Sequence, residues 1–296
     1  MSITLLFLLT MIPGTFFLGL NDVLVRKVLR SGKANSQLLA AYSFFSVGIL
    51  LSPFLALTGL PELKSGFWTA IIIMSSLNIF AQWAWYTAFK KEEASLISPL
   101  RLITPPLVIV TGFLALNERT TIPGALGILL TVFGLWILLQ SEAVFKETRL
   151  RDVIKRPGVL LGIWGAVSFA ISFPFDKKAV VASSGLLTAV IAFLAVGLGN
   201  AFIVYLRKFR EEKPSLDFKN NWRILALMSV VHSIAAFLTF QALNYSLAAY
   251  AASLKRLWSF WAVLLSGRFL KEKNIGKKLL ATVIMLGGIA ITIFFG

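Results

Sequence analysis

Apolar residues run along this chain in stretches of about 20, the length that carries a helix across roughly 30 Å of hydrocarbon at about 1.5 Å per residue. Short clusters of charged residues, Gly and Pro separate the stretches. The pattern predicts ten helices, at about 3–25, 36–58, 67–89, 94–116, 121–140, 158–180, 187–206, 221–244, 248–270 and 276–295. Only the polar segments 141–157 and 207–221 are longer than turns, and neither has room for an aqueous domain. The first twelve residues are apolar but lack a basic leader and a small-residue cleavage site, so the first helix is expected to be retained.

The pattern repeats. Sliding the chain by 154 positions lays Asp22 on Asp176, Trp68 on Trp222, Ser75 on Ser229, Ala88 on Ala242, Ala94 on Ala248, Glu118 on Glu272 and Gly134 on Gly288, without a gap. Coincidences at Asp, Trp and Glu carry weight because these residues are scarce here, and Arg101 over Lys255 adds a charge-conserving pair. The expected organisation is a five-helix unit over 1–142, a polar linker over 143–154 and a second five-helix unit over 155–296. With an odd number of helices per unit, the second copy enters the membrane from the opposite face, and the two are related by a pseudo-twofold axis in the membrane plane. The fold class expected is therefore all-α: a polytopic membrane protein with ten transmembrane helices as two inverted five-helix repeats.

Composition sharpens this picture. At 57% hydrophobic and 14% charged residues, the chain is too apolar for a soluble domain. A net charge of +16 would suggest nucleic acid in a soluble protein. Here Lys and Arg sit in short segments with no continuous basic stripe or aromatic platform, so membrane lipid and a small molecule are expected as partners, and nucleic acid is not. Oligomeric state is left open, a homodimer included. With no cysteine, disulfides, iron–sulfur clusters and thiolate metal sites are excluded, and no metal or cofactor is implied.

The basic residues also orient the chain. They crowd the connections on one side, as with Arg26, Lys27, Arg30 and Lys33 in the first half and Arg268, Lys271, Lys273, Lys277 and Lys278 in the second. The other side holds Lys64, Arg119, Lys177 and Lys178. The crowded side is expected to be cytoplasmic, which puts both termini outside, in a bacterial-type plasma (inner) membrane.

Several short motifs carry a family resemblance. Leu18-Gly19-Leu20-Asn21 followed by Arg26, then Thr87-Ala88-Phe89, Ala94-Ser95-Leu96 and Asn117-Glu118-Arg119 with Gly127 and Gly134, are echoed by Gln241-Ala242-Leu243, Lys271-Glu272-Lys273 and Gly287-Gly288. Over nearly its whole length the chain resembles the drug/metabolite transporter superfamily, specifically its ten-helix EamA-type members. Leu18 replaces that family's usual Trp, and the Gly that commonly precedes the Glu is missing from both copies. The resemblance implies a carrier that exchanges or exports metabolites by alternating access. Many members have cytoplasmic termini; the basic residues of this chain point the other way.

Ionisable groups within spans are costly and face the bundle interior or a water-filled cavity. Arg101 in the fourth span and Lys255 with Arg256 in the ninth are the foremost substrate-binding candidates, expected on either side of the midplane. Asn78 and His232 are repeat equivalents near mid-span, and Gln82 lies one turn beyond Asn78 on the same face. His232 reads equally as a packed, hydrogen-bonded core residue. A cationic cluster favours a carboxylate or phosphate, with Arg offering a bidentate grip and Lys a point charge. The arrangement is similar to that of the plastid phosphate translocators of the same superfamily, a resemblance that implies an anion-holding role for Arg101 and the Lys255-Arg256 pair.

Asp22 and Asp176, near the ends of the first and sixth spans, are charge-pair candidates for Arg101 and Lys255, respectively. No acidic residue is expected near the centre of a span, which disfavours a cationic substrate. Pro13, Pro99, Pro105, Pro106 and Pro174 are expected to kink or open their helices. Trp83, Trp85 and Tyr86 are expected in an interfacial aromatic belt. The function expected is a secondary transporter for a small organic anion or zwitterionic metabolite. The alternative is a non-transporting scaffold whose charges serve folding. A single His, no Cys and no paired central carboxylates argue against an enzyme.

Overall fold

A computed structural model describes residues 3–29, 34–91, 97–140, 155–207, 215–270 and 275–295. The expected linker at 143–154 and the Lys271-Glu272-Lys273 turn lie outside the described residues. Helices account for nearly all the rest, and no strand occurs among the described residues. They are α1 (Ile3–Leu29), α2 (Ser36–Thr58), α3 (Phe67–Lys91), a 3-10 segment (Ser98–Ile103), α4 (Thr104–Leu116), α5 (Ile122–Gln140), α6 (Pro157–Ala182), α7 (Gly185–Arg207), α8 (Phe218–Ala242), α9 (Ala248–Lys255), α10 (Leu257–Leu270) and α11 (Ile275–Phe294). Six of them, α1, α2, α3, α6, α7 and α8, contain stretches long and apolar enough to cross a membrane, and the shorter apolar helices lie in spans four, five and ten.

Local chemistry explains the elements. Asn35 caps α2, its Oδ1 accepting from the backbone N–H of Gln37 and Leu38 at 3.0 Å each. Within the apolar runs, hydroxyls donate to the carbonyl four residues back, as Thr87 does to Trp83 and Thr239 to Ala235, both at 2.8 Å. A hydroxyl so satisfied can sit in hydrocarbon or packed protein without an orphaned donor. Large apolar side chains such as Leu57, Ile72, Leu114 and Val283 point outward, the arrangement lipid requires.

The pairings of helices follow one scheme. In the first group, α1 packs on α8 and α10, and α2 on α8; in the second, α6 packs on α3 and α4, and α7 on α3. Exchanging the halves at the 154-residue offset converts the first group into the second. The two remaining main contacts, α2 with α7 and α5 with α11, map onto themselves. The α5–α11 contact is backbone on backbone. A Cβ at Gly127 would lie 2.6 Å from the Gly288 carbonyl oxygen, and one at Gly288 would lie 2.5 Å from the Thr131 nitrogen. Only glycine allows that approach.

Span four opens where its prolines lead one to expect it, span nine departs from the continuous helix expected of it, and both break beside their cation. In span four the 3-10 segment carries Arg101 and hands over to α4 at Thr104-Pro105-Pro106, where two successive prolines remove backbone donors. Span nine has no proline, yet α9 ends at Lys255. There the Arg256 N–H turns back to the Ser253 carbonyl at 2.9 Å, three residues away, before α10 begins. By contrast, α1 and α6 run on through Pro13 and Pro174 as single helices. Asn117 ends α4 with a φ of 54°, the left-handed conformation for which Asn is among the best non-glycine choices. It thereby does the work of the Gly missing from that turn.

Candidate functional site

Two adjoining cavities lie among α1, α2, α3, α6, α7, α8 and α9. The first lobe, about 240 Å³, is lined by Asn21 and Asp22 from α1, Ser43 from α2, Arg101 from the 3-10 segment, Lys255 at the end of α9 and Trp258 on α10. The second, about 190 Å³ and more enclosed, is lined by Asn78 from α3, Ser172, Phe173 and Asp176 from α6, Phe193 from α7 and Phe240 from α8. Leu18, Phe44, Gln82, His232 and Lys255 belong to both walls, so the two lobes meet at these side chains.

Arg101 and Lys255 occur together in the first lobe. The Arg101 guanidinium stands 4.7 Å from the ring centre of Trp85 and 5.7 Å from that of Trp258, and the Lys255 ammonium stands 5.4 Å from that of Phe173. Aromatic faces steady a cation without neutralising it. Asp22 shares the first lobe with Arg101, and Asp176 shares the second with Lys255. Asp176 accepts a 3.3 Å hydrogen bond from Ser172, but among the described residues no ion pair within 4 Å joins it to Lys255.

Asn78 donates to Ser172 at 2.6 Å and to the Met74 carbonyl at 2.8 Å. His232 Nδ1 is 2.8 Å from Ser43 Oγ, and its ring meets Phe44 and Phe193 edge-on at 5.5 and 5.3 Å. The histidine is therefore both packed in an aromatic box and part of the cavity wall. Gln82 lines both lobes. Arg256 lines neither, and its Nε is buried without a hydrogen-bond partner.

The charge-pair candidates keep their expected places, and the aromatic belt is corrected at Trp85. Asp22 and Asp176 lie toward the ends of α1 and α6, as expected, and both line the cavity. Asp176 is 8% exposed and shares the wall of the second lobe with Asn78 of α3, Phe240 of α8 and Lys255 of α9. Trp85 belongs to no interfacial belt: it is 1% exposed, and its indole fits over Gly165 of α6, where a Cβ would come within 2.7 Å of Nε1. Trp85 had a usable signal, since it lies three residues beyond Gln82 on the same helical face, whereas the break at Arg256 separates Trp258 from Lys255. Ser43 and the phenylalanines of the second lobe had none, because neither type is unusual in an apolar helix.

A membrane bundle with a charged internal cavity is an architecture that transport proteins share. The sequence pattern of the EamA-like transporter family matches twice, over residues 5–140 and 156–294. The chain belongs to the EamA-like transporter family. It is an integral, multi-pass membrane protein of a ten-helix fold. It is 27% identical over 140 residues to an uncharacterised transporter of Archaeoglobus fulgidus, a match spanning 45% of this chain and 46% of that one. It is 33% identical over 74 residues to an uncharacterised protein of Methanocaldococcus jannaschii, covering 25% of this chain and 54% of the other. Each match thus spans about half the length of the curated relative. A solved crystal structure superposes with a TM-score of 0.77 over 97% of this chain and 99% of the other at 16% identity, a likeness of fold.

Proposed function

We propose that this EamA-like protein is a secondary transporter that moves a small organic anion or zwitterionic metabolite by alternating access. The observation that carries the reading is the meeting of Arg101 and Lys255, from repeat-equivalent spans, at one cavity with Asp22, His232 and Gln82. Buried basic side chains that stand against aromatic rings suit a carboxylate or phosphate. The carboxylates, Asp22 in the first lobe and Asp176 beyond Lys255 in the second, add a place for an ammonium group and so favour a zwitterion. Asn78, Gln82 and His232 supply neutral hydrogen bonds.

The pairing scheme of the helices supports the inverted-repeat reading, with units over 1–142 and 155–296. Breaks at Arg101 and at Lys255 are the discontinuous spans on which carriers build their sites and move. The distribution of basic residues supports placing both termini outside the cytoplasmic face of a plasma (inner) membrane.

The test is uptake of labelled organic anions and amino acids into proteoliposomes, preceded by a thermal-shift screen, since a ligand that binds the folded state raises its unfolding temperature by mass action. Saturable uptake lost in Lys255→Ala supports the carrier. Folded protein that neither shifts with nor takes up any of these compounds leaves the scaffold reading in its place.

A further inference from the structure

Glu118 recurs at the repeat offset and lies away from both cavities, so the transport reading leaves it without a role. The structure surrounds its carboxylate with partners. One oxygen, Oε1, is ion-paired with Lys177 Nζ, and the other, Oε2, accepts from the backbone N–H of Ala248 at 2.7 Å. Lys177 also donates to the Ser246 carbonyl at 2.6 Å. The two side chains are only 12% and 15% exposed. Three separate parts of the chain meet at this carboxylate: the α4–α5 connection of the first half, the end of α6, and the α8–α9 connection of the second.

Both partners lead directly to the cavity. Lys177 follows Asp176, which lines the second lobe. Ala248 is the first residue of α9, and Lys255, about 10 Å along it at about 1.5 Å per residue, is its last. One carboxylate therefore ties down the helices that present Asp176 and Lys255, at the end of the bundle where the more enclosed lobe lies.

We infer that the Glu118–Lys177 pair, with Glu118 capping α9, is the latch that holds the cavity shut on the side of the α4–α5 connection and positions Lys255 while it is shut. This inference rests on the transporter reading. The latch belongs to one end only: at the repeat offset, the position equivalent to Lys177 is Val23, so the same ion pair cannot be built at the other end. The resting protein is accordingly biased toward closure at the Glu118 end, and Glu118 and Lys177 are positioning residues that never touch the substrate.

The chain has no native cysteine, so a single Thr239→Cys in the second lobe reports access directly. Membrane vesicles of each orientation, sorted by a C-terminal tag on the same side as Glu118, are treated with a charged, membrane-impermeant methanethiosulfonate. With the latch intact, labelling from the Glu118 side is slow. Glu118→Gln and Lys177→Met each raise it by about tenfold or more, the size of one charge-assisted contact, and lower it from the opposite side. Lys177→Arg, which keeps the pair, stays at the parental rate. A merely structural role would change labelling from both sides in the same direction, or melt the protein without altering sidedness. Unchanged labelling from the Glu118 side in both folded variants overturns the latch. The readout needs no substrate, so the latch can fail while uptake and ligand-induced thermal shifts still support the carrier.

Discussion

Adjacent glycines in α11 should respond in opposite ways to the same substitution. A Cβ at Gly288 would stand 2.5 Å from the Thr131 nitrogen, 2.6 Å from the Gly127 carbonyl oxygen and 2.6 Å from Thr131 Oγ1. Two of these are backbone atoms of α5 that no rotamer change can move, so α5 and α11 must separate along their whole contact. Overpacking of this kind costs about 1–3 kcal/mol. At Gly287 a Cβ meets nothing within 4 Å, and Ala is favoured over Gly in a helix by up to about 1 kcal/mol. Gly288→Ala is therefore expected to melt about 2–6 °C lower, taking roughly 2 °C per kcal/mol for a chain of this size, and Gly287→Ala no lower than the parent. Tryptophan fluorescence on heating in detergent measures both. If the two variants fall together, or if Gly288→Ala melts with the parent, the close approach of α5 and α11 is wrong and the pairing scheme loses its most constrained contact.

The cavity yields further expectations. Lys255→Ala and Arg101→Ala should each weaken ligand binding about 10- to 100-fold, the loss of one charge-assisted hydrogen bond, with little change in melting temperature. Isothermal titration with any ligand from the thermal-shift screen measures it, and wholesale unfolding would mark these cations as structural. Arg101→Lys keeps the charge but loses the guanidinium's contacts with the Trp85 and Trp258 rings, so its affinity should fall between that of the parent and Arg101→Ala. Asp176→Asn should lower affinity for a zwitterion more than for the matching anion without its ammonium, and an equal loss for both removes Asp176 from the ammonium site. A C-terminal reporter active only outside the cytoplasm should be on, and a silent one with an active cytoplasmic counterpart reverses the orientation.

The helices and their number could be read from the chain because crossing hydrocarbon demands about 20 apolar residues with every backbone group bonded within the segment, a local requirement written in consecutive positions. The duplication was legible for a similar reason: the Asp22–Asp176, Trp68–Trp222 and Glu118–Glu272 coincidences need only alignment. Arg101 and Lys255 announced themselves because charge inside a span is costly. Depth was less legible. Trp85 read as part of an interfacial belt, because one sequence cannot tell which face of an apolar helix meets lipid and which meets another helix. The break at Arg256, made without proline, left no local mark either.

What the amino-acid order determined by itself is the set of spans, their twofold repetition and the presence of charge within the membrane, since each follows from solvation or alignment along the chain. Only the tertiary structure decided that Arg101 and Lys255 share one lobe, that Arg256 stays out of it, and that Lys177 and Ala248 converge on Glu118. Those arrangements depend on contacts between helices far apart in the chain, and in lipid, where every outward face is equally apolar, packing shape and a few polar pairs select them.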